Sequence, residues 1–101
     1  MYLVQILLPL YNNSGIRFEP ERYTKVRDEL VSRFGGITAY TRTPVQGVWH
    51  EREEIVRDDL IIYEIMVQDL KEEWWCEYRK ILEKRFEQQS LVVRANQIRL
   101  L

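Results

Sequence analysis

The first eleven residues, MYLVQILLPLY, contain a single strongly polar side chain, Gln5. A run that is apolar on both alternating sides predicts a central β-strand from Tyr2 to Leu10, covered on both faces. The run is too short to span a bilayer. It also lacks a basic leader and a small-residue cleavage site, so no secretion signal is expected. Turn formers follow in YNNSGIRFEP. The period then changes. Tyr23, Val26, Leu30, Val31 and Phe34 recur at helical spacing and predict a helix from Pro20 to Phe34 with that face inward. Pro20 suits the first helical position, where a missing N–H costs nothing. Glu21 suits the positive end of the helix dipole. Phe18 and Tyr23 have the spacing of a hydrophobic staple. Gly35 is placed to end the helix in a left-handed conformation.

Alternation returns from about Ile37 to Thr43. Pro44 and Gly47 interrupt it, as an edge strand tolerates, before Val48, Trp49 and His50. EREEIVRDD reads as a charged hairpin connection. Asp59 to Gln68, DLIIYEIMVQ, predicts a third strand. Ile61, Tyr63, Ile65 and Val67 lie on one face, and Leu60, Ile62, Glu64 and Met66 on the other. A second helix is expected from Leu70 to Glu87, with Asp69 and Glu72 as a capping-box pair. Its apolar stripe is Leu70, Trp74, Tyr78, Ile81 and Leu82, with Trp75 and Phe86 at the margin. Trp74 is thus expected in the core and Trp75 at its rim. The last strand runs from about Ser90 to Leu100.

The order is β-α-β-β-α-β. That order predicts an α+β sandwich of the ferredoxin-like, split βαβ type. Right-handed crossovers then give an antiparallel sheet ordered 4-1-3-2 with both helices on one face. Residues 1–101 form one domain on this reading, and the first and third strands are central.

Such a fold leaves one sheet face without helices. Alternation assigns Leu3 or Val4, Ile6, Ile61, Tyr63, Ile65 and Val93 to the helix side. It assigns Gln5, Leu7, Tyr40, Arg42, Ile62, Glu64, Met66, Arg94 and Asn96 to the open side, and a one-residue slip would exchange the two sets. The open set mixes apolar residues with arginines, a carboxylate and amides. One reading is a homodimer through the open sheet face, with Glu64 paired to Arg42 or Arg94. The other is a cavity on the same face, in which an arginine grips an anionic or polar small molecule bidentately.

Charge narrows the partners. With 15 basic and 16 acidic residues the net charge is -1, which offers no general attraction to phosphate backbones or anionic membranes. The strand LIIYEIMV has no R-G-F-G-F-like run of the aromatic and basic residues with which sheets of this architecture bind RNA. Neither nucleic acid nor membrane is therefore an expected partner. The lone Cys76 permits no intrachain disulfide and suits a reducing, cytoplasmic setting.

Chemistry has few carriers. His50 is the only histidine, beside Trp49 and close to Glu51, Glu53 and Glu54. One histidine with no cysteine partner and no H-x-H spacing predicts no metal site and no cofactor. The candidates for proton transfer are Glu64, His50 and Tyr40. The candidates for ligand contact are Arg42, Arg94, Gln5, Asn96 and Trp49. Gly35 and Gly36 follow a helix rather than precede one, so they stop it rather than cradle a phosphate.

The segment FGGITAYTRTPVQGVWH, followed by charged residues and then DDLIIYEIMV, resembles a group of small uncharacterised bacterial proteins with an F-G-G-x-T then G-x-W pattern. The resemblance runs through Phe34, Gly35, Gly36, Thr38, Gly47, Trp49 and Glu64, the middle third of the chain. It implies a ferredoxin-like fold of the dimeric α/β-barrel type and assigns no activity. The combined expectation is a homodimeric binding or interaction module. The alternative is a small-molecule enzyme whose site lies on the open sheet face.

Overall fold

In the computed structural model, which describes residues 1–42 and 60–101 without the Arg42 side chain, the elements are β1 (Tyr2–Pro9), α1 (Pro20–Phe34), β2 (Thr38–Arg42), β3 (Leu60–Val67), α2 (Glu72–Arg85) and β4 (Val92–Gln97). The Pro44 and Gly47 break, Trp49, His50 and the charged connection lie outside the described residues.

The sheet order is β2-β3-β1-β4, with every pair antiparallel. This is the expected 4-1-3-2 order read from the other edge, and it makes the domain a ferredoxin-like α+β sandwich. β1 and β3 are central. Both are apolar enough to be covered by neighbouring strands.

Pleating divides β1 cleanly. Val4, Ile6 and Leu8 are buried and share one core with Tyr63, Ile65 and Val67 of β3. The register sets Val4 against Ile65 and Ile6 against Tyr63. Val4, not Leu3, is therefore the residue on the helix side. α1 contributes Tyr23, Val26 and Leu30 to the same core, and α2 contributes Trp75, Tyr78 and Leu82.

α1 follows its sequence signals closely. Pro20 opens it, and Gly35 closes it at φ 86°, its N–H donating to the Val31 carbonyl. Phe18 and Tyr23 are both buried, each with its ring centroid 5.3 Å from that of Phe86. The staple is thus anchored on the far end of α2. Val31 departs from expectation and is 41 % exposed, because Leu30 takes the core side of that turn. The buried tyrosines place their hydroxyls on backbone carbonyls. Tyr23 donates to Pro9 at 2.6 Å and Tyr63 to Tyr23 at 3.1 Å. These bonds let two phenols enter an apolar core without leaving a donor unpaired.

α2 corrects the sequence reading. It begins at Glu72 rather than Leu70, and Lys71 is its cap residue, with no side-chain capping bond. Asp69 lies two residues too far back to cap. The inward stripe is Trp75, Tyr78, Leu82 and Phe86, with spacing i, i+3, i+7, i+11. Trp75 is buried and Trp74 half-buried, the reverse of the expected pair. Phe86 is fully buried rather than marginal, and Ile81 is 45 % exposed. Both stripes fit helical periodicity. The Phe18–Tyr23–Phe86 ring contacts select between them.

The helices are also clamped by a polar group. Arg85 grips Glu29 with both guanidinium nitrogens, Nη2 to Oε2 at 2.8 Å, and Tyr78 donates to Glu29 Oε1 at 3.2 Å. No helix among the described residues is long and apolar enough to cross a membrane.

Two expectations follow. Phe86→Ala should cost about 3–5 kcal/mol in urea unfolding, the usual range for a buried aromatic. The second concerns Glu29. Hydrogen bonding to Arg85 holds its carboxyl below the usual range. A depressed folded pKa adds stability that is present at neutral pH and lost as pH falls through it. The Glu29 side chain is 37 % exposed, so solvent screens the pair. Glu29→Gln should therefore lose only about 1 kcal/mol at pH 7. The gap from wild type in thermal melts should close below the ordinary Glu value of about 4.3.

Candidate functional site

The open face carries one polar row across all four strands. β1 supplies Gln5. The register sets Gln5 opposite Glu64 of β3 on one side and opposite Arg94 of β4 on the other. Tyr40 of β2 reaches the row diagonally, since its own partner is Ile62. The side chains are joined in sequence. Tyr40 donates to Glu64 Oε1 at 2.8 Å, Gln5 Nε2 donates to the same oxygen at 2.8 Å, and Arg94 Nε donates to Gln5 Oε1 at 2.8 Å. Gln5 Nε2 also lies 3.4 Å from the Tyr40 hydroxyl.

Chemistry dictates the orientation of Gln5. An arginine only donates and an ionised carboxylate only accepts. The amide oxygen must therefore face Arg94 and the amide nitrogen Glu64. Gln5 separates an acid from a base that could otherwise approach each other. Within one chain the link from Glu64 to Arg94 is indirect, through one amide.

Among the described residues, Glu64 Oε2 and the two terminal nitrogens of Arg94 have no protein partner. The row thus presents an anionic end and a cationic end to whatever covers the face. Its flanks are apolar. Leu3 and Met66 lie on one side, Leu7, Ile62 and Val92 on the other. Ile62 is buried, whereas Met66 and Val92 are exposed. Asn96 lies opposite Leu3 and is exposed. The backbone of Arg42 pairs with Leu60 at the end of β2, one step along the face from Tyr40.

The hydrogen bond to Glu64 raises the Tyr40 pKa above its ordinary value, since ionising the phenol would set two negative charges side by side. Tyr40 is therefore a neutral donor at physiological pH, not a base.

The second aromatic group, formed by Phe34 of α1 with Trp74, Trp75 and Tyr78 of α2, is already occupied by protein. Phe34 stacks on Trp75 at 5.2 Å. Trp74 lies between Tyr78 at 4.9 Å and the Arg33 guanidinium, 4.3 Å from the ring centroid. The groove beside it holds about 440 Å³ and is lined by Arg33, Phe34, Met66, Asp69, Lys71 and Trp74. Its best aromatic faces are spent on packing. Cys76 is exposed on α2.

Of the residues singled out from sequence, the fold brings Gln5, Tyr40, Glu64 and Arg94 together. Nothing in the sequence signalled the continuity of the row, which needs the register of three strand pairs at once. The raised pKa gives one check. In ¹³C NMR of the tyrosine ring, with Tyr40 assigned through Tyr40→Phe, its titration should move toward lower pH in Glu64→Gln and leave the other tyrosines unmoved.

No family model and no curated protein matches the chain in sequence. In three dimensions it is similar to a phage SAM lyase, a structure solved in complex with S-methyl-5'-thioadenosine. The likeness has a TM-score of 0.58 at 16 % sequence identity and covers 95 % of this chain and 80 % of the lyase chain. At that identity the likeness is one of fold, and it sets this chain among small ferredoxin-like α+β domains.

Proposed function

We propose that the chain is a small-molecule-binding domain whose site is the open sheet face, and that its ligand is zwitterionic. The observation that supports this most directly is the row itself. Among the described residues, Glu64 Oε2 is without a protein partner at one end and the Arg94 terminal nitrogens at the other, and Gln5 holds the two apart at hydrogen-bond distance from each. A cationic centre would sit on Glu64, a carboxylate on the Arg94 fork, and an apolar or aromatic body on Leu3, Leu7, Met66 and Val92. S-adenosylmethionine, the substance in the name of the structurally similar lyase, has these parts: a sulfonium, an α-amino carboxylate and a flat base. It is the first compound to try. S-methyl-5'-thioadenosine, which has neither charge, is the natural control.

The Tyr40–Glu64 hydrogen bond favours a second, catalytic reading of the same site. A sulfonium is an activated leaving group. Its C–S bond can break with the electron pair going to sulfur while an oxygen of the ligand's own carboxylate bonds to the carbon that sulfur leaves, giving the thioether and a lactone, and Glu64 beside the sulfonium would hold it in place. Tyr40 would keep Glu64 aligned. His50, outside the described residues, would be the candidate for any proton transfer.

Calorimetry with wild type should give saturable binding of S-adenosylmethionine and weaker binding of S-methyl-5'-thioadenosine. Glu64→Gln and Arg94→Ala should each weaken the first by about 10–100-fold, the worth of one hydrogen bond to a charged group. An affinity that neither change alters would overturn the proposal. For the catalytic reading, mass spectrometry after incubation with S-adenosylmethionine should detect S-methyl-5'-thioadenosine, and Glu64→Gln should suppress it.

A further inference from the structure

We infer that a second copy of this chain covers the open face, related by a two-fold axis that runs parallel to β1 between the two sheets. Three observations on that face lead there. Its charges are split across the central strand, Glu64 on β3 and Arg94 on β4, with Gln5 midway. Its flanks expose Met66 at 56 % and Val92 at 50 %, large apolar residues beside a polar row. Tyr40 and Arg94, at the two ends of the row, are also exposed, whereas a small-molecule site buries most of its ligand.

Symmetry decides which placement satisfies the charges. A two-fold axis parallel to β1 exchanges the two sides of the sheet. It brings β4 of one copy over β3 of the other, so that Arg94 faces the partner's Glu64 and Glu64 faces the partner's Arg94. The same operation sets Leu3 over the partner's Leu3 and Gln5 over the partner's Gln5. An axis perpendicular to the strands would instead stack Glu64 on the partner's Glu64 and Arg94 on the partner's Arg94. Like charges opposed in this way are costly. Facing sheets lie about 10 Å apart, a gap that an arginine and a glutamate side chain can close together. The interface is isologous, as two-fold contacts are.

This arrangement deepens the ligand reading and rests on it in one respect. The partner would supply the second wall of the site, and a zwitterion would take the place of one direct pair, held by Glu64 of one copy and Arg94 of the other. The pairing itself needs no ligand, which lets the two ideas fail separately.

The test is native mass spectrometry and sedimentation velocity on the full chain, with no ligand added. Wild type is expected to be dimeric. Glu64→Arg and Arg94→Glu should each weaken self-association at least about tenfold, since each makes both reciprocal pairs repulsive. Mixing the two variants should restore dimers, and these should be heterodimers, because each variant then meets its complement twice. Circular dichroism melts check whether both variants fold. If either does not, Glu64→Gln and Arg94→Gln provide the milder loss of pairing. A wild type that stays monomeric at the highest concentration reached overturns the inference. So does a dimer indifferent to both substitutions, or a mixture that gives no heterodimer. A dimer that passes these tests but binds no zwitterion leaves the association intact and removes the ligand reading alone.

Discussion

The structure depends on β1 being hydrogen-bonded along both edges. A strand paired with β3 on one side and β4 on the other cannot slip by one residue without breaking two ladders. Its side chains alternate with period two, so the same register decides both faces of the sheet. Val4, Ile6 and Leu8 enter the dry core because of it. Gln5 meets Glu64 and Arg94 for the same reason. Core and candidate site are therefore two consequences of one pairing. A change that disturbed the first would displace the second.

The two faces obey opposite rules. On the helix side, the two buried phenols enter with a partner, as the Tyr23 and Tyr63 hydroxyls illustrate. Aromatic rings at the helix ends do the packing, and the Glu29–Arg85–Tyr78 group ties the helices together at their margin. On the open side, the polar row is satisfied laterally, strand to strand, and among the described residues still leaves charged atoms without a protein partner. Lateral bonds orient Glu64 and Arg94 without using up their capacity. Side chains held in this way lose little further freedom on meeting a ligand or a partner chain, which favours binding.

Much of the architecture is written in local pattern. Pro20, the Phe18–Tyr23 staple and Gly35 delimit α1 to the residue, because each acts through its own backbone or one turn of helix. Helix α2 was less legible. Two tryptophans and a phenylalanine let either of two adjacent stripes face inward, and periodicity is nearly indifferent between them. Long-range contact settles the matter. Phe86 is drawn in by Phe18 and Tyr23, residues more than sixty positions earlier in the chain, and Trp75 by Phe34. Asp69 read as a cap because the capping pattern is local, but the helix starts later, at Glu72.

For the open face, alternation alone was enough to name the residues on each strand, and Gln5, Tyr40, Glu64 and Arg94 were all assigned to it from sequence. Alternation is a property of one strand. It carries no information about which residue of one strand lies level with which of another. Whether an acid and a base on different strands touch, stand apart or share a bridging amide depends on register between segments up to 89 positions apart. The sequence by itself thus determined the elements, their order and the composition of each face. Only the tertiary structure decided that four of those residues form one continuous row with Gln5 at its centre. Hydrogen bonds between strands set that geometry, and no local pattern encodes it.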